Sequence, residues 1–266
     1  MPANHEAPLA RREPLPGPYV ILTFAHQEIA AEARPGQFVM LKPGRAPEPP
    51  LRRPFSIMGV DREAGTFSLF IKIVGTVTAQ LAALQPGEPA LCLGPLGRPF
   101  GAPPEGHEAL MVAGGYGIAP FLMMSRELLA AGRPARVFYG ARTARDLMLE
   151  RAFASLGVAL VTATEDGSRG YHGRVTDAVE EHLRRQSGPT TLYACGPDPM
   201  LQAVARLAAR QKLRAEVSLD PWMGCGTGLC LGCVVRLQGP DDPAPRYRCA
   251  CTEGPVFDAS QVVWSS

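Results

Sequence analysis

The 266-residue sequence predicts an α+β multidomain fold in three consecutive parts: an N-terminal antiparallel β-barrel, a central doubly wound parallel α/β domain and a small C-terminal cysteine-rich domain. Three observations carry this. Short β-branched and apolar runs separated by Pro-Gly turns fill the first hundred residues, strands and helices alternate after Ala109, and five of the seven cysteines crowd between Cys225 and Cys251. The expected boundaries are 1–104, 105–214 and 215–266.

In the first part the runs are Tyr19-Val-Ile-Leu-Thr-Phe, Gln37-Phe-Val-Met-Leu and Phe67-Ser-Leu-Phe-Ile-Lys-Ile-Val, with turns at Pro35-Gly36 and Pro86-Gly87. Strand-length runs at this spacing read as a small antiparallel barrel. Residues 1–18 are rich in proline and charge and lack the apolar stretch of a secretory signal, so export is not expected. Gly97 to His107 breaks the pattern. Beyond it, strands at Ala109, Ala135, Val158 and Thr190 alternate with helices over 120–131, 144–156, 175–185 and 199–211, the order of a parallel nucleotide-binding sheet.

Composition narrows the function. Hydrophobic residues make up 46% and charged residues 20%, ordinary values for a globular chain that folds without disulfides. Twenty-seven basic against 25 acidic residues leave a net charge of +2, too small an excess to support nucleic-acid binding. No apolar run approaches the roughly 20 residues needed to span a bilayer. An odd number of cysteines, mostly clustered, suits metal ligation in the reducing cytoplasm better than paired disulfides.

Cys225-x4-Cys230-x2-Cys233 followed by a later cysteine is the plant-type 2Fe-2S spacing. Gly224, Gly226, Gly228 and Gly232 are expected to allow positive φ and close backbone approach, so that N–H groups point at the cluster. A structural zinc site also uses four cysteines but ordinarily pairs them in two Cys-x2-Cys knuckles. Spacing leaves the fourth ligand open between Cys249 and Cys251. Cys92 reads as strand core, and the five histidines show no metal-ligand spacing.

Two further motifs suit nucleotide cofactors. Arg53-Pro54-Phe55-Ser56 offers a cation for a diphosphate, an aromatic surface for an isoalloxazine and a small donor; strand alternation puts Arg53 and Phe55 on one side and Ser56 on the other. Lys72 and Thr78 add a cation and a hydroxyl. Gly114-Gly115-Tyr116-Gly117-Ile118-Ala119-Pro120 follows a strand and opens a helix, where a parallel sheet presents a glycine turn to a diphosphate. Cys195-Gly196-Pro197-Asp198-Pro199-Met200 ends another strand, and the two turns should frame one crevice. Cys195 would be a small polarisable wall beside a nicotinamide. Tyr139 to Arg142 and Thr164 to Ser168 could line the adenosine side.

With these residues assembled, the chain resembles the ferredoxin reductase superfamily, and within it the electron-transfer subunits of class 1B dihydroorotate dehydrogenases, over about 19–263. Leu51 to Ile57, Gly94-Pro-Leu-Gly97, Gly114 to Pro120, Cys195 to Met200, Met223 to Cys233 and Cys251-Thr-Glu-Gly-Pro-Val-Phe257 carry the resemblance. It implies FAD, NAD and a 2Fe-2S cluster as cofactors. It also implies Cys251 as fourth ligand with Cys249 a bystander, and FAD held by Arg53 to Ser56, by Phe70, Ile71 and Lys72, and by a turn at Val77-Thr78. Lys72 stands where the family has arginine, and Val77 where it has glycine, at odds with a positive-φ turn. The implied reaction belongs to pyrimidine biosynthesis: a separate FMN-containing catalytic subunit oxidises dihydroorotate, and electrons pass through the cluster and FAD to NAD+. A heterotetramer of two of each subunit is expected. Rival readings are a related NAD(P)H–ferredoxin oxidoreductase or hydrogenase electron-transfer subunit, and a non-enzymatic redox-sensing module.

Overall fold

The computed structural model describes residues 4–44, 51–186, 188–240 and 242–264, so the proline-rich approach to Arg53 lies outside the described residues as far as position 50. Six strands close into an antiparallel barrel in the order β1-β2-β5-β4-β3-β6. They are β1 (Asn4–Pro14), β2 (Tyr19–Ala25), β3 (Phe38–Pro43), β4 (Arg53–Asp61), β5 (Thr66–Lys72) and β6 (Pro89–Leu96), with short helices α1 (Gln27–Glu32) and α2 (Thr76–Ala82) between strands. β1 occupies most of the proline- and charge-rich segment that precedes the first expected strand. It pairs with β6 through Pro8 and with β2 from Leu9 onward, burying Ala7 and Leu9 and closing the barrel.

The run Tyr19-Val-Ile-Leu-Thr-Phe lacks polar alternation because both faces of β2 are covered. Val20, Leu22 and Phe24 point into the barrel with Leu69, Ile71 and Cys92, whereas Tyr19 and Ile21 join Met58 and Phe70 against the following segment. Each fully buried aliphatic or aromatic side chain contributes roughly 1.5–3 kcal/mol of hydrophobic stabilisation.

The central sheet has seven strands in the order β10-β9-β8-β7-β11-β12-β15. Six are parallel to their neighbours: β7 (Glu108–Gly114), β8 (Ala135–Ala141), β9 (Ala159–Thr164), β10 (Tyr171–His172), β11 (Thr190–Cys195) and β12 (Arg214–Ser218). Helices α3 (Ala119–Ala130), α4 (Glu150–Leu156), α5 (Val175–Arg185) and α6 (Asp198–Gln211) make the crossovers. The helix expected over 144–156 starts only at Glu150, because Thr143 caps a single 3-10 turn over Ala144–Asp146. Strand order reverses between β7 and β11, which puts a crevice at their carboxyl ends.

The cysteine-rich segment adds the hairpin β13 (Val234–Leu237) and β14 (Arg246–Cys249), one turn of helix α7 (Ala250–Glu253) and β15 (Val256–Asp258). β12 begins at Arg214, so the expected boundary after 214 falls inside a strand, and β15 pairs antiparallel with β12 to end the sheet. The segment therefore completes the nucleotide-binding sheet instead of hanging from it. One core cluster joins Phe38, Met40 and Leu96 of the barrel, Val112 and Val217 of the sheet, and Met223, Cys233 and Cys251.

The barrel meets this segment through two of the sequence motifs. Gly97, at φ +77°, lies against Gly254-Pro255, where an added Cβ would come within 2.5 Å of Pro255 Cδ and 2.7 Å of the Gly254 carbonyl. The Arg98 N–H donates to that same carbonyl at 2.5 Å. Gly97→Ala should cost about 1–3 kcal/mol more than Gly106→Ala, since Gly106 has a similar φ of +75° with nothing within 4 Å of its Cβ position. Chemical denaturation of the two variants measures the difference.

Candidate functional site

The cysteine loop lies on the barrel. Gly226, at φ +76°, packs where a Cβ would meet Met40 Cγ of β3 at 2.6 Å and Leu96 Cδ1 of β6 at 3.1 Å. Gly228 and Leu231 are also left-handed, at φ +78° and +55°, whereas Gly224 and Gly232 are not. A Cβ on either would come to 3.4–3.6 Å from Cys230 Sγ, an ordinary packing distance.

The loop turns its amides onto the sulfurs. Thr227 N–H and Cys230 N–H donate to Cys225 Sγ at 3.3 and 3.5 Å, Gly228 N–H to Cys251 Sγ at 3.2 Å, and Gly232 N–H to Cys230 Sγ at 3.5 Å. Burial raises the Cys225 thiol, but the hydrogen bonds from Thr227 and Cys230 outweigh it and leave the group below its ordinary value. Burial and the neighbouring Cys233 push Cys251 up. Amide donors on Cys225 and Cys251 would stabilise their thiolates against a cationic centre. The donor set therefore fits an iron–sulfur cluster.

Gly228 also separates the two candidate fourth ligands. Its N–H faces Cys251, which is buried, while its carbonyl oxygen accepts from Cys249 Sγ at 4.0 Å. A thiolate ligand is stabilised by donors and disfavoured beside a carbonyl, so the geometry favours Cys251.

The nucleotide crevice opens at the strand-order reversal. Cys195 and Ala113 are register partners on β11 and β7, so the Gly114-Gly115 and Gly196-Pro197 turns leave the sheet side by side. A Cβ on Gly114 would come within 2.8 Å of Pro197 Cδ and 2.9 Å of Met200 Sδ, and one on Gly117 would run into the Cys195 carbonyl. Ile118 is buried beneath the turn. Gly114, Gly115, Tyr116, Pro197 and Met200 line one side of a space of about 680 Å³, and Tyr19 and Lys72 of the barrel line another. Gly140, Arg142, Glu165 and Arg174 extend it across β8 and β9. A trough of this size, floored by glycines at strand ends, fits a dinucleotide.

Cys195 is buried. Its thiol is pushed up to about 12 by burial and by the Asp220 carboxylate, against a lowering hydrogen bond with Ser218. It is therefore a neutral thiol at physiological pH, suited to walling a ring and unsuited to nucleophilic attack.

On the barrel side the expected residues divide. Pro54, Ser56 and Met58 share the outer face of β4; Ser56 stands opposite Phe38. Phe55 instead packs against the barrel interior, as Ile71 does, which leaves Phe70 and Tyr19, stacked with centroids 5.4 Å apart, as the aromatic surface toward the crevice. Arg53 is exposed and donates to the Leu51 and Arg52 carbonyls. Val77 lies in α2 with right-handed φ, so no positive-φ turn is needed there. The Thr78 hydroxyl accepts from Val74 and Gly75 N–H at 3.0 Å and donates to the Gly75 carbonyl at 2.8 Å, which commits it to the start of α2.

Lys72 is drawn into a contact no motif announces. Its Nζ lies 3.6 Å from Asp146 Oδ1 and 5.1 Å from the Tyr19 ring centroid, and the Tyr19 hydroxyl donates to Asp146 at 2.8 Å. Tyr139 holds the same loop by donating to the Asp146 carbonyl at 3.1 Å. The aromatic face, the lysine and the outer face of β4 fit a flavin nucleotide, with Lys72 shared between Asp146 and a diphosphate.

Family models match three successive stretches: an oxidoreductase FAD-binding domain at 8–100, an oxidoreductase NAD-binding domain at 111–206, and the iron-sulfur cluster binding domain of dihydroorotate dehydrogenase B at 220–263. The electron transfer subunit of dihydroorotate dehydrogenase B (NAD(+)) from Desulforamulus reducens is 37% identical over 243 residues, covering 91% of this chain and 92% of that protein. The chain belongs to this family of electron transfer subunits. The corresponding subunit of Bacillus caldolyticus is 38% identical, with 91% of each chain covered. FAD, NAD and a 2Fe-2S cluster are accordingly the cofactors of a family member.

Among solved structures, one described as NADH-dependent reduced ferredoxin-NADP oxidoreductase superposes with a TM-score of 0.85 at 30% identity, covering 99% of this chain and 92% of that one. The cytochrome b5 reductase domain of Ulva prolifera nitrate reductase shares the fold at a TM-score of 0.63, with 21% identity, 75% of this chain and 89% of that one.

Cys251→Ser should abolish the visible absorption of the cluster and lower the iron content, while Cys249→Ser retains both; iron analysis of anaerobically purified protein tests this. Lys72→Met should weaken FAD retention roughly tenfold, read as flavin released on gel filtration.

Proposed function

We propose that this chain carries electrons between a separate FMN-containing subunit, which oxidises dihydroorotate to orotate, and NAD+, in the cytoplasm and within a heterotetramer of two of each subunit. The reading rests on family membership together with the way the cysteine loop is presented. Cys230 is exposed between Leu229 and Leu231, at 84% and 64% exposure, with Trp222 at 88% nearby in sequence. Apolar side chains this open around a redox centre suit a surface that a partner covers.

Nicotinamide exchanges two electrons as hydride and a 2Fe-2S cluster carries one at a time, and bound FAD supplies the conversion between them. The chain's own residues orient and insulate. Gly114, Gly115 and Gly117 let the dinucleotide approach the backbone at β7, and Gly196, Pro197 and Met200 close the trough from β11. Cys195, neutral and buried, borders the nicotinamide without competing for hydride. Ser56, on the outer face of β4, is the hydroxyl donor toward the flavin ring, with Pro54 beside it; Arg53 and Lys72 supply positive charge to the FAD diphosphate. Phe70 and Tyr19 exclude water from the flavin's surroundings. Cys225, Cys230, Cys233 and Cys251 hold the cluster, and the amides of Thr227, Gly228, Cys230 and Gly232 stabilise their negative charge.

Family membership as an electron transfer subunit assigns substrate oxidation to the partner. The purified chain, loaded with FAD and cluster, should reduce artificial dyes with NADH yet leave dihydroorotate untouched until the catalytic subunit is added. Dihydroorotate oxidation by the chain alone would sink the proposal.

A further inference from the structure

Away from the cysteine loop and the crevice, three side chains that no sequence motif connects come together at one end of the barrel. His5 lies on β1, His26 is the residue that caps α1, and Glu28 sits in the first turn of that helix. One ligand atom from each lies within 4.8 Å of the other two. The two imidazoles are in edge contact with centroids 4.2 Å apart, and His5 Nε2 is 4.0 Å from Glu28 Oε2. We propose that His5, His26 and Glu28 bind a divalent transition ion of the Zn2+ class, tying the first strand of the barrel to α1.

The donor set points to the ion. Two imidazoles and one carboxylate suit borderline cations such as Zn2+ far better than Mg2+ or Ca2+, which take oxygen ligands. Tetrahedral bonds of about 2.0–2.2 Å hold ligand atoms roughly 3.3–3.6 Å apart, so the present spacing needs a contraction of less than an ångström between His5 and Glu28. The side chain that must move is free to do so: Glu28 is 73% exposed, while His5 is only 16% exposed. His5 shares the inward face of β1 with Ala7 and Leu9 and stands opposite Cys92 of β6. Its position is thus set by the barrel's pairing. Cys92 is sealed in the barrel core and is not among the converging ligand atoms, which leaves the fourth coordination position to solvent.

The competing role is visible in the same residues. His26 Nδ1 accepts the Ile29 N–H at 3.3 Å as an ordinary helix cap, and coordination through either nitrogen protonates or occupies Nδ1 and gives up that bond. A cap alone, however, does not explain a second imidazole packed against the first with a carboxylate beside both. The absence of a sequence signal has a simple cause: 21 positions separate His5 from His26, and only barrel closure, which brings β1 between β2 and β6, makes them neighbours.

The test is a Zn2+ titration of the anaerobically prepared protein with FAD bound and its cluster assembled, so that the loop cysteines are occupied. Calorimetry should find saturable binding of about one equivalent, and thermal unfolding should shift upward with Zn2+. His5→Ala and Glu28→Gln should each weaken binding by about tenfold or more with FAD and iron content unchanged. His26→Asn, which can still cap α1, should lose the zinc response without losing the helix. Failure of the native protein to bind Zn2+ saturably, or equal binding by all three variants, would overturn the proposal.

Discussion

Gly97 and Gly254 meet at a point where no side chain fits, and the placement of everything around the cysteine centre follows from that contact. The barrel turn ending at Gly97 lies against the Gly254-Pro255 turn closely enough for the Arg98 amide to bond the Gly254 carbonyl. A few residues either way, Leu96 lies under Gly226 of the cysteine loop, and Val256 and Phe257 enter the sheet beside Val217. The barrel and the sheet edge are therefore joined by a backbone hydrogen bond, and the loop is seated on barrel side chains through Gly226. Electron transfer needs cofactors held at constant separation, and the shared core of barrel, sheet and cysteine segment serves that end.

Electrostatics inside this frame runs in two opposed directions. In the loop, burial and the neighbouring Cys233 hold Cys251 up, while amide hydrogen bonds bring Cys225 below its ordinary value. Across the sheet, Cys195 has a buried setting with a carboxylate nearby and stays neutral. The same residue type thus lies below its ordinary value at Cys225 and far above it at Cys195, and its neighbours make the difference.

The sequence was most legible where function is local. The 225–233 spacing, the two glycine turns and the strand–helix alternation are contiguous patterns, and each lies in the structure where its chemistry requires. Longer-range features were not readable. Asp146 reaches Tyr19 across 127 positions, so the Lys72 contact had no local sign. β1 was hidden because prolines and charges mask a short apolar alternation, Ala7 and Leu9, which matters only once β6 and β2 flank it. Phe55 and Ser56 were assigned to opposite sides correctly, but which side faces the crevice depends on barrel curvature and not on alternation. Gly224 and Gly232 read as positive-φ glycines, yet neither takes a left-handed conformation.

The strand Val256–Asp258 gives the chain a property that its three-part layout conceals. Because this strand finishes the sheet begun at Glu108, the iron–sulfur segment cannot be inherited as a detachable module, as a domain joined by a linker can. Exchanging it for another ferredoxin-like unit would strip β12 of its outer neighbour and expose a sheet edge at Val217. In this chain the nucleotide sheet and the cysteine-rich segment therefore form one structural unit.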